Sequence, residues 1–313
     1  MPEPLFQRPF FERLAIIGLG LIGSSLSRIA MQDRTLAREI IASDTNPDVC
    51  DRVQTLQIAD RIEPDPARAV EGADLIILAA PVGAFASIAA AIAPHLAPGA
   101  ILTDTGSTKV SVIRDVAPLL PPNIHFIPGH PLAGTEYSGP DAGFTTLFQG
   151  RWALLTPLPG ADPAAIARMT QFWQRCGSMV ETMEPAHHDR VVAIVSHLPH
   201  LIAFTICGTA DDLATEGDRE REHGNPDSAT HSEVLKFAAS GFRDFTRIAA
   251  SDPVMWRDVF LNNREALLEM LARFTEDSQA MARAVRWGDA AYIEDKIQRG
   301  RQIRKGLIEL NQA

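Results

Sequence analysis

Leu14-Ala15-Ile16-Ile17-Gly18-Leu19-Gly20-Leu21-Ile22-Gly23 is the stretch that decides the fold. An apolar strand-like run, Leu14 to Gly18, enters a glycine-spaced turn, and a helical pattern from Leu21 to Ala30 opens directly behind it. The GxGxxG spacing carries weight because it lies between a strand and a helix. Gly18 permits the tight turn, Gly20 lets backbone approach a pyrophosphate, and Gly23 lets helix and strand pack closely. The helix N-terminus, at Leu21 and Ile22, then offers N–H donors and a positive dipole end to phosphate.

Asp44 ends the next predicted strand, 21 residues after Gly23. A carboxylate there accepts hydrogen bonds from ribose hydroxyls. The same charge repels a 2′-phosphate, and Asp44-Thr45-Asn46-Pro47 brings no arginine, so NAD is expected rather than NADP. Ala80-Pro81 and Gly106-Ser107 each follow a later strand, at the carboxyl edge where open α/β sheets bind ligands. They are expected to border the nicotinamide half.

Outward from this motif, short apolar runs alternate with helical patterns, the mark of a doubly wound parallel sheet. Strands are predicted at Leu14 to Gly18, Glu39 to Asp44, Asp74 to Pro81, Ala100 to Asp104, Ile124 to Pro128 and Trp152 to Thr156. Helices are predicted at Leu21 to Ala30, Pro47 to Thr55, Gly83 to Leu96 and Lys109 to Leu120. Pro157, Pro159, Gly160 and Pro163 punctuate the chain; a last helix, Pro163 to Cys176, and strand, Met179 to Met183, still fit the first domain. Past Pro185 the pattern turns helical: His188 to Leu213, Val234 to Ala250, Pro253 to Ala284 and Ala290 to Leu310. The expectation is an α/β Rossmann-type doubly wound sheet over residues 1–184 and an all-α C-terminal domain over 185–313. The polar stretch from Thr215 to Ser232 is expected to be a solvated loop.

A chain of 313 residues has room for two cores, and 46% hydrophobic with 22% charged residues is ordinary for a globular protein. The net charge of −10 argues against a phosphate-backbone binder, so no nucleic-acid partner is expected. An anionic substrate must then be held by individual cations. Cys50, Cys176 and Cys207 are odd in number and widely spaced, which reads as reduced thiols. Met1 to Phe11 lacks the apolar core of a signal peptide, and no apolar run approaches the roughly 20 residues that span a bilayer. A cytoplasmic protein without a membrane partner is expected.

Three segments carry candidate chemistry. His130, in Gly129-His130-Pro131-Leu132-Ala133-Gly134-Thr135-Glu136, follows a predicted strand and so sits at the ligand-binding edge. Oxidising a carbinol needs a partner for the hydroxyl proton, and a neutral imidazole is the common choice, so His130 is the candidate general base. In Ser196-His197-Leu198-Pro199-His200 the two imidazoles lie three apart on a predicted helix that Pro199 is expected to bend. One is a candidate substrate contact; no third ligand at suitable spacing supports a metal. In Gly241-Phe242-Arg243-Asp244-Phe245-Thr246-Arg247, a guanidinium suits a carboxylate substrate, but spacing alone does not choose between Arg243 and Arg247. The arginine that does not face the cleft is expected to pair with Asp244 or Glu136.

Taken together, GLGLIGSS, DTGSTK, GHPLAGTE, SHLPH and GFRDFTRIAASDPVMWRD strongly resemble the prephenate/arogenate (cyclohexadienyl) dehydrogenases, in order from about Arg13 to at least Ala272. The resemblance implies NAD-dependent oxidative decarboxylation of prephenate or arogenate in tyrosine biosynthesis. It implies His130 as the catalytic histidine, and Ser107 as a serine hydrogen-bonded to the substrate hydroxyl and that histidine. Arg247 matches the substrate-carboxylate arginine and His200 a further substrate contact. Glu136 and Asp244 resemble members of a charged network at the pocket entrance. The helical domain is implied to form a homodimer interface, with the active site between domains. No segment before Arg13 is expected to hold a fused mutase, and none after Leu310 a regulatory domain. Two rival readings remain: a two-domain 3-hydroxy acid dehydrogenase or reductase, for which Lys236 is the only candidate lysine, and a non-catalytic NAD-binding sensor.

Overall fold

Residues 8–223, 225 and 228–309 are described in a computed structural model. Strand β1 (Phe11–Ile17) leads into α1 (Leu21–Gln32), β2 (Ala37–Ser43), α2 (Pro47–Leu56), the short edge strand β3 (Arg61–Ile62) and α3 (Pro66–Ala69). Then come β4 (Leu75–Leu78), α4 (Phe85–Ile92), β5 (Ile101–Asp104), α5 (Val110–Val116) and β6 (His125–Phe126). These six strands form one parallel sheet in the order β3-β2-β1-β4-β5-β6. The order reverses between β1 and β4, which opens a crevice at their carboxyl ends.

Alternation along the strands explains why both faces are covered. In β1, Leu14 and Ile16 join one buried cluster with Leu26, Val53 and Trp173; Ala15 and Ile17 join the other with Phe85, Ile92 and Val116. In β4, Leu75 and Ile77 face the first cluster, Ile76 and Leu78 the second. Successive residues point to opposite faces, so a strand apolar at every position must be sandwiched between helices.

The chain leaves this sheet after β6. Strands β7 (Gly129–Pro131) and β8 (Trp152–Leu155) pair antiparallel; after α6 (Pro163–Arg175), β9 (Met179–Thr182) pairs parallel to β8. The predicted Trp152 strand therefore belongs to a second, three-stranded sheet. Strands β3 and β7 were not expected. Each is two or three residues long, too short for a periodic signal.

The predicted His188 to Leu213 helix is three pieces: α7 (Pro185–Val192), a π-helical turn (Ala193–His197) and α8 (Leu198–Glu222). Pro199 lies in the first turn of α8, directly behind the π-helical turn, whose wider spacing accommodates a residue with no N–H to donate. The expected loop from Thr215 is corrected, because α8 runs through it to Glu222. Glu and Arg are good helix formers, so this polar run is a solvated extension of the helix. The chain then folds back on it: His231 bridges Asp211 and Asp218, and Arg221 pairs with Glu233. Gly224, Pro226 and Asp227 of that stretch lie outside the described residues.

The predicted Val234 to Ala250 helix is likewise split, into α9 (His231–Lys236), α10 (Ser240–Thr246) and a 3₁₀ turn (Arg247–Ala250). Helices α11 (Pro253–Asn262), α12 (Arg264–Trp287) and α13 (Ala290–Glu309) follow. Residues up to Arg264 form one compact unit and those from Glu265 another.

The continuous helical run Pro185–Glu222 is long and apolar enough to cross a membrane by length and composition, which corrects the expectation that no such run exists. Yet it buries His188, Asp189 and His197, which hydrogen-bond to other elements: His188 to His130, Asp189 to Lys109 and Val110, and His197 to Asn263. Those contacts make the run a wall of the site described next.

Candidate active site

The glycine turn is built as its spacing demands. Gly18 has φ +97°, and a Cβ there would stand 2.6 Å from the Ala80 nitrogen, so the first turn closes directly on the end of β4. A Cβ on Gly23 would lie against the Gly18 carbonyl, which leaves no room for any side chain. A Cβ on Gly20 would meet nothing within 4 Å. Gly20 is also the N-cap of α1, with no side chain capping the helix and no acidic residue in its first turn. An open approach to uncapped N–H donors fits a pyrophosphate.

Asp44 closes this cradle from β2: one carboxylate oxygen accepts from the Leu19 N–H at 3.0 Å, the other from the Asn46 N–H at 3.0 Å. Each oxygen keeps a further lone pair for a ribose hydroxyl. Ala80 and Pro81 lie just past β4, half-buried and exposed respectively. Gly106 lies just past β5, where a Cβ would stand 2.7 Å from Val82.

A single buried carboxylate links the cofactor edge to the histidine strand. Asp104, at the end of β5, accepts from the Gly106 N–H at 2.8 Å and from the Gly129 N–H at 3.2 Å. Lys109 donates to the same Asp104 and, at 2.6 Å, to the Gly129 carbonyl. Both side chains are fully buried, and burial pushes the Asp104 carboxyl up and the Lys109 amine down against their mutual attraction. The pair thereby pins both backbone groups of Gly129, the residue before His130.

His130 is 8% exposed, and its Nδ1 stands 2.9 Å from Nε2 of His188 on α7. Nδ1 of His188 stands 2.8 Å from Asp189 Oδ1. Asp189 also accepts the N–H groups of Lys109 and Val110 at 2.7 and 2.9 Å. Burial first, then the neighbouring His188, Lys109 and His197, holds His130 well below the ordinary imidazole value, so its ring is neutral at neutral pH. Ser107 is half-buried on the turn after β5, and its hydroxyl bonds to no described residue.

The SHLPH histidines divide as their spacing allows. His197 is fully buried, and its Nδ1 accepts from the Asn263 side chain at 3.0 Å. His200 stacks on Trp256, centroids 3.6 Å apart, with Nδ1 donating to the Ser196 carbonyl at 2.9 Å. Burial lowers its pKa, and the nearby Arg247 adds to the effect. Arg247 in turn pairs with Glu136 at 3.2 Å. His200, Arg247 and Glu136 are thus one neighbourhood. Arg243 and Asp244 are exposed on α10, and Asp244 forms no ion pair among the described residues. Asp104, Lys109, His188 and Asp189 were missed in the sequence. The first two stood in the DTGSTK motif as unread flanks of Ser107, whereas His188 and Asp189 lie 58 and 59 residues after His130 with no local pattern joining them.

Comparison with known proteins identifies the family. The profile described as "Prephenate dehydrogenase, nucleotide-binding domain" matches residues 29–182, and "Prephenate dehydrogenase, dimerization domain" matches residues 184–299. A cyclohexadienyl dehydrogenase of Zymomonas mobilis is 38% identical, over 95% of this chain and 96% of its own length. A prephenate dehydrogenase of Lactococcus lactis is 31% identical over 95% and 77%. The crystal structure of Aquifex aeolicus prephenate dehydrogenase, in complex with hydroxyphenyl propionate and NAD+, superposes with a TM-score of 0.82 at 30% identity, covering 98% of this chain and all of that one. Two profiles that together span most of the chain, and a relative 38% identical over nearly its full length, show that the chain belongs to the prephenate dehydrogenase family.

Proposed function

We propose that this chain oxidatively decarboxylates prephenate, arogenate or both with NAD, in tyrosine biosynthesis. The observation that carries the reading is Asp104, one carboxylate holding both the Gly106 turn at the cofactor edge and the strand that presents His130. Gly18, Gly20, Leu21, Ile22 and Gly23 hold the pyrophosphate, Asp44 the ribose, and Ala80, Pro81 and Gly106 flank the nicotinamide. NAD, when bound, supplies the hydride acceptor.

The rest is positioning and proton transfer by the chain itself. As hydride leaves the ring carbon that bears the hydroxyl, His130 Nε2 accepts the hydroxyl proton. The bond to the ring carboxylate then breaks as carbon dioxide departs. Its electron pair passes through the ring to the oxygen, and the resulting phenolate recovers the proton. Ser107 hydrogen-bonds the hydroxyl. Arg247 takes a substrate carboxylate, exchanging it for Glu136; an exposed pair of this kind contributes little and separates readily. His200 offers its remaining nitrogen to the same substrate. Asp244 contributes to the charge around the entrance.

Residues 1–184 hold the cofactor, and residues 185–313 complete the pocket and pair two copies into a homodimer. Support comes from the change to an all-helical chain after β9 and from the dimerization-domain match. A cytoplasmic location suits three free thiols. The rival lysine, Lys236, is exposed and lies over Phe237.

Purified protein with NAD should form NADH, read by near-ultraviolet absorbance, on addition of prephenate or arogenate. His130→Asn should lower kcat by about 10²-fold or more with substrate KM nearly unchanged, and Arg247→Ala should raise KM by about tenfold or more. NAD binding without turnover on either substrate would overturn the reading.

A further inference from the structure

We infer that His188 is a positioning residue, which fixes the proton of His130 on Nδ1 and so leaves Nε2 bare to act as the base. The inference rests on the reading of His130 as that base.

Asp189 sets the direction of the bonds. Its two oxygens accept the Lys109 and Val110 N–H groups, so it meets His188 as an acceptor. Nδ1 of His188, 2.8 Å away, must therefore be the donor. A neutral imidazole carries one N–H, so Nε2 of His188 is a lone pair. That lone pair faces Nδ1 of His130 at 2.9 Å, and two lone pairs cannot face each other at that distance. Nδ1 of His130 therefore carries the proton. Both rings are buried and held below their ordinary pKa, so neither escapes the constraint by charging at neutral pH.

The same chain of bonds acts during turnover. Once Nε2 of His130 has taken the hydroxyl proton, the ring carries a positive charge and donates more strongly to His188. His188 is braced by a carboxylate whose own backbone partners keep it in place. Nothing is consumed, because the proton returns to the phenolate and the ring reverts to its starting tautomer. Without the His188 acceptor, the proton on His130 is free to sit on Nε2, where it blocks the reaction.

Long-range ¹H–¹⁵N correlation spectra of histidine-labelled enzyme read which nitrogen carries the proton. Wild type should show His130 protonated on Nδ1; a proton on Nε2 overturns the inference whatever the variants do. His188→Leu removes the acceptor and should lower kcat by about 10²-fold or more, with KM and NAD affinity within about threefold. His188→Gln restores an acceptor oxygen and should recover at least about tenfold of that loss. If His130→Asn abolishes turnover while both His188 variants keep wild-type kcat, His188 has no positioning role and the base assignment stands. If His130→Asn keeps its turnover, the base assignment itself has failed.

Discussion

Among single residues, the buried histidines connect proton chemistry to stability. His197 has its pKa lowered from 6.5 to about 4, chiefly by burial, and His130, His188 and His200 shift the same way. Between those values the unfolded chain binds protons that the folded chain refuses. Stability is therefore full above pH 6.5 and is lost as pH falls toward 4. His197 alone accounts for roughly 3 kcal/mol of this, because each tenfold change in proton affinity is worth about 1.36 kcal/mol. Melting temperature measured across that window should fall steadily, and a flat profile would contradict the buried, neutral state of these rings. Activity should hold to lower pH than an ordinary imidazole base allows, because His130 is held well below its usual value.

Among elements, the β1–α1 turn separates two roles that the sequence motif merges. Gly23 is required by packing, since any Cβ would collide with the Gly18 carbonyl; Gly20 is required only by what approaches from outside. Gly20→Ala should leave the melting temperature within a degree or two while weakening NAD binding by about tenfold or more. Gly23→Ala should lower both, because helix and strand must part. Calorimetry with NAD titration distinguishes the two. The loop after β7 is fixed in a comparable way: Arg28 donates to the Pro140 carbonyl at 3.0 Å, and Arg52 clamps Asp141. Glu136 thus sits on a loop whose far end is held by α1 and α2, the helices beside the cofactor cradle.

For the whole molecule, exposed apolar side chains concentrate in the helical part. Val195, in the π-helical turn, Leu213, on α8, and Leu261, on α11, are 60–63% exposed. Such surface is covered by association when contiguous with an interface. Light scattering after gel filtration should therefore give twice the 34.1 kDa of one chain. Val195→Asp with Leu213→Asp should shift the protein toward monomer, with little change in NAD affinity. A monomeric wild type would remove the homodimer from the proposal.

The sequence alone determined the parallel sheet, the glycine turn and the choice of family, and it marked Asp44 and His130 as candidates. Each of these is written in local spacing: an every-residue apolar strand, a turn that only glycine can make, a polar residue at a strand end. The separation of β7, β8 and β9 into a second sheet was decided by tertiary structure, because pairing partners are set by where the chain turns, not by strand propensity. So were the surroundings of the two arginines: Arg247 pairs with Glu136, 111 residues earlier, and lies near His200, whereas Arg243, four residues before it, forms no ion pair among the described residues. The Asp189–His188–His130 line is of the same kind. It joins a helix to a strand across 58 residues, and the burial that keeps its rings neutral exists only once the chain has folded around them.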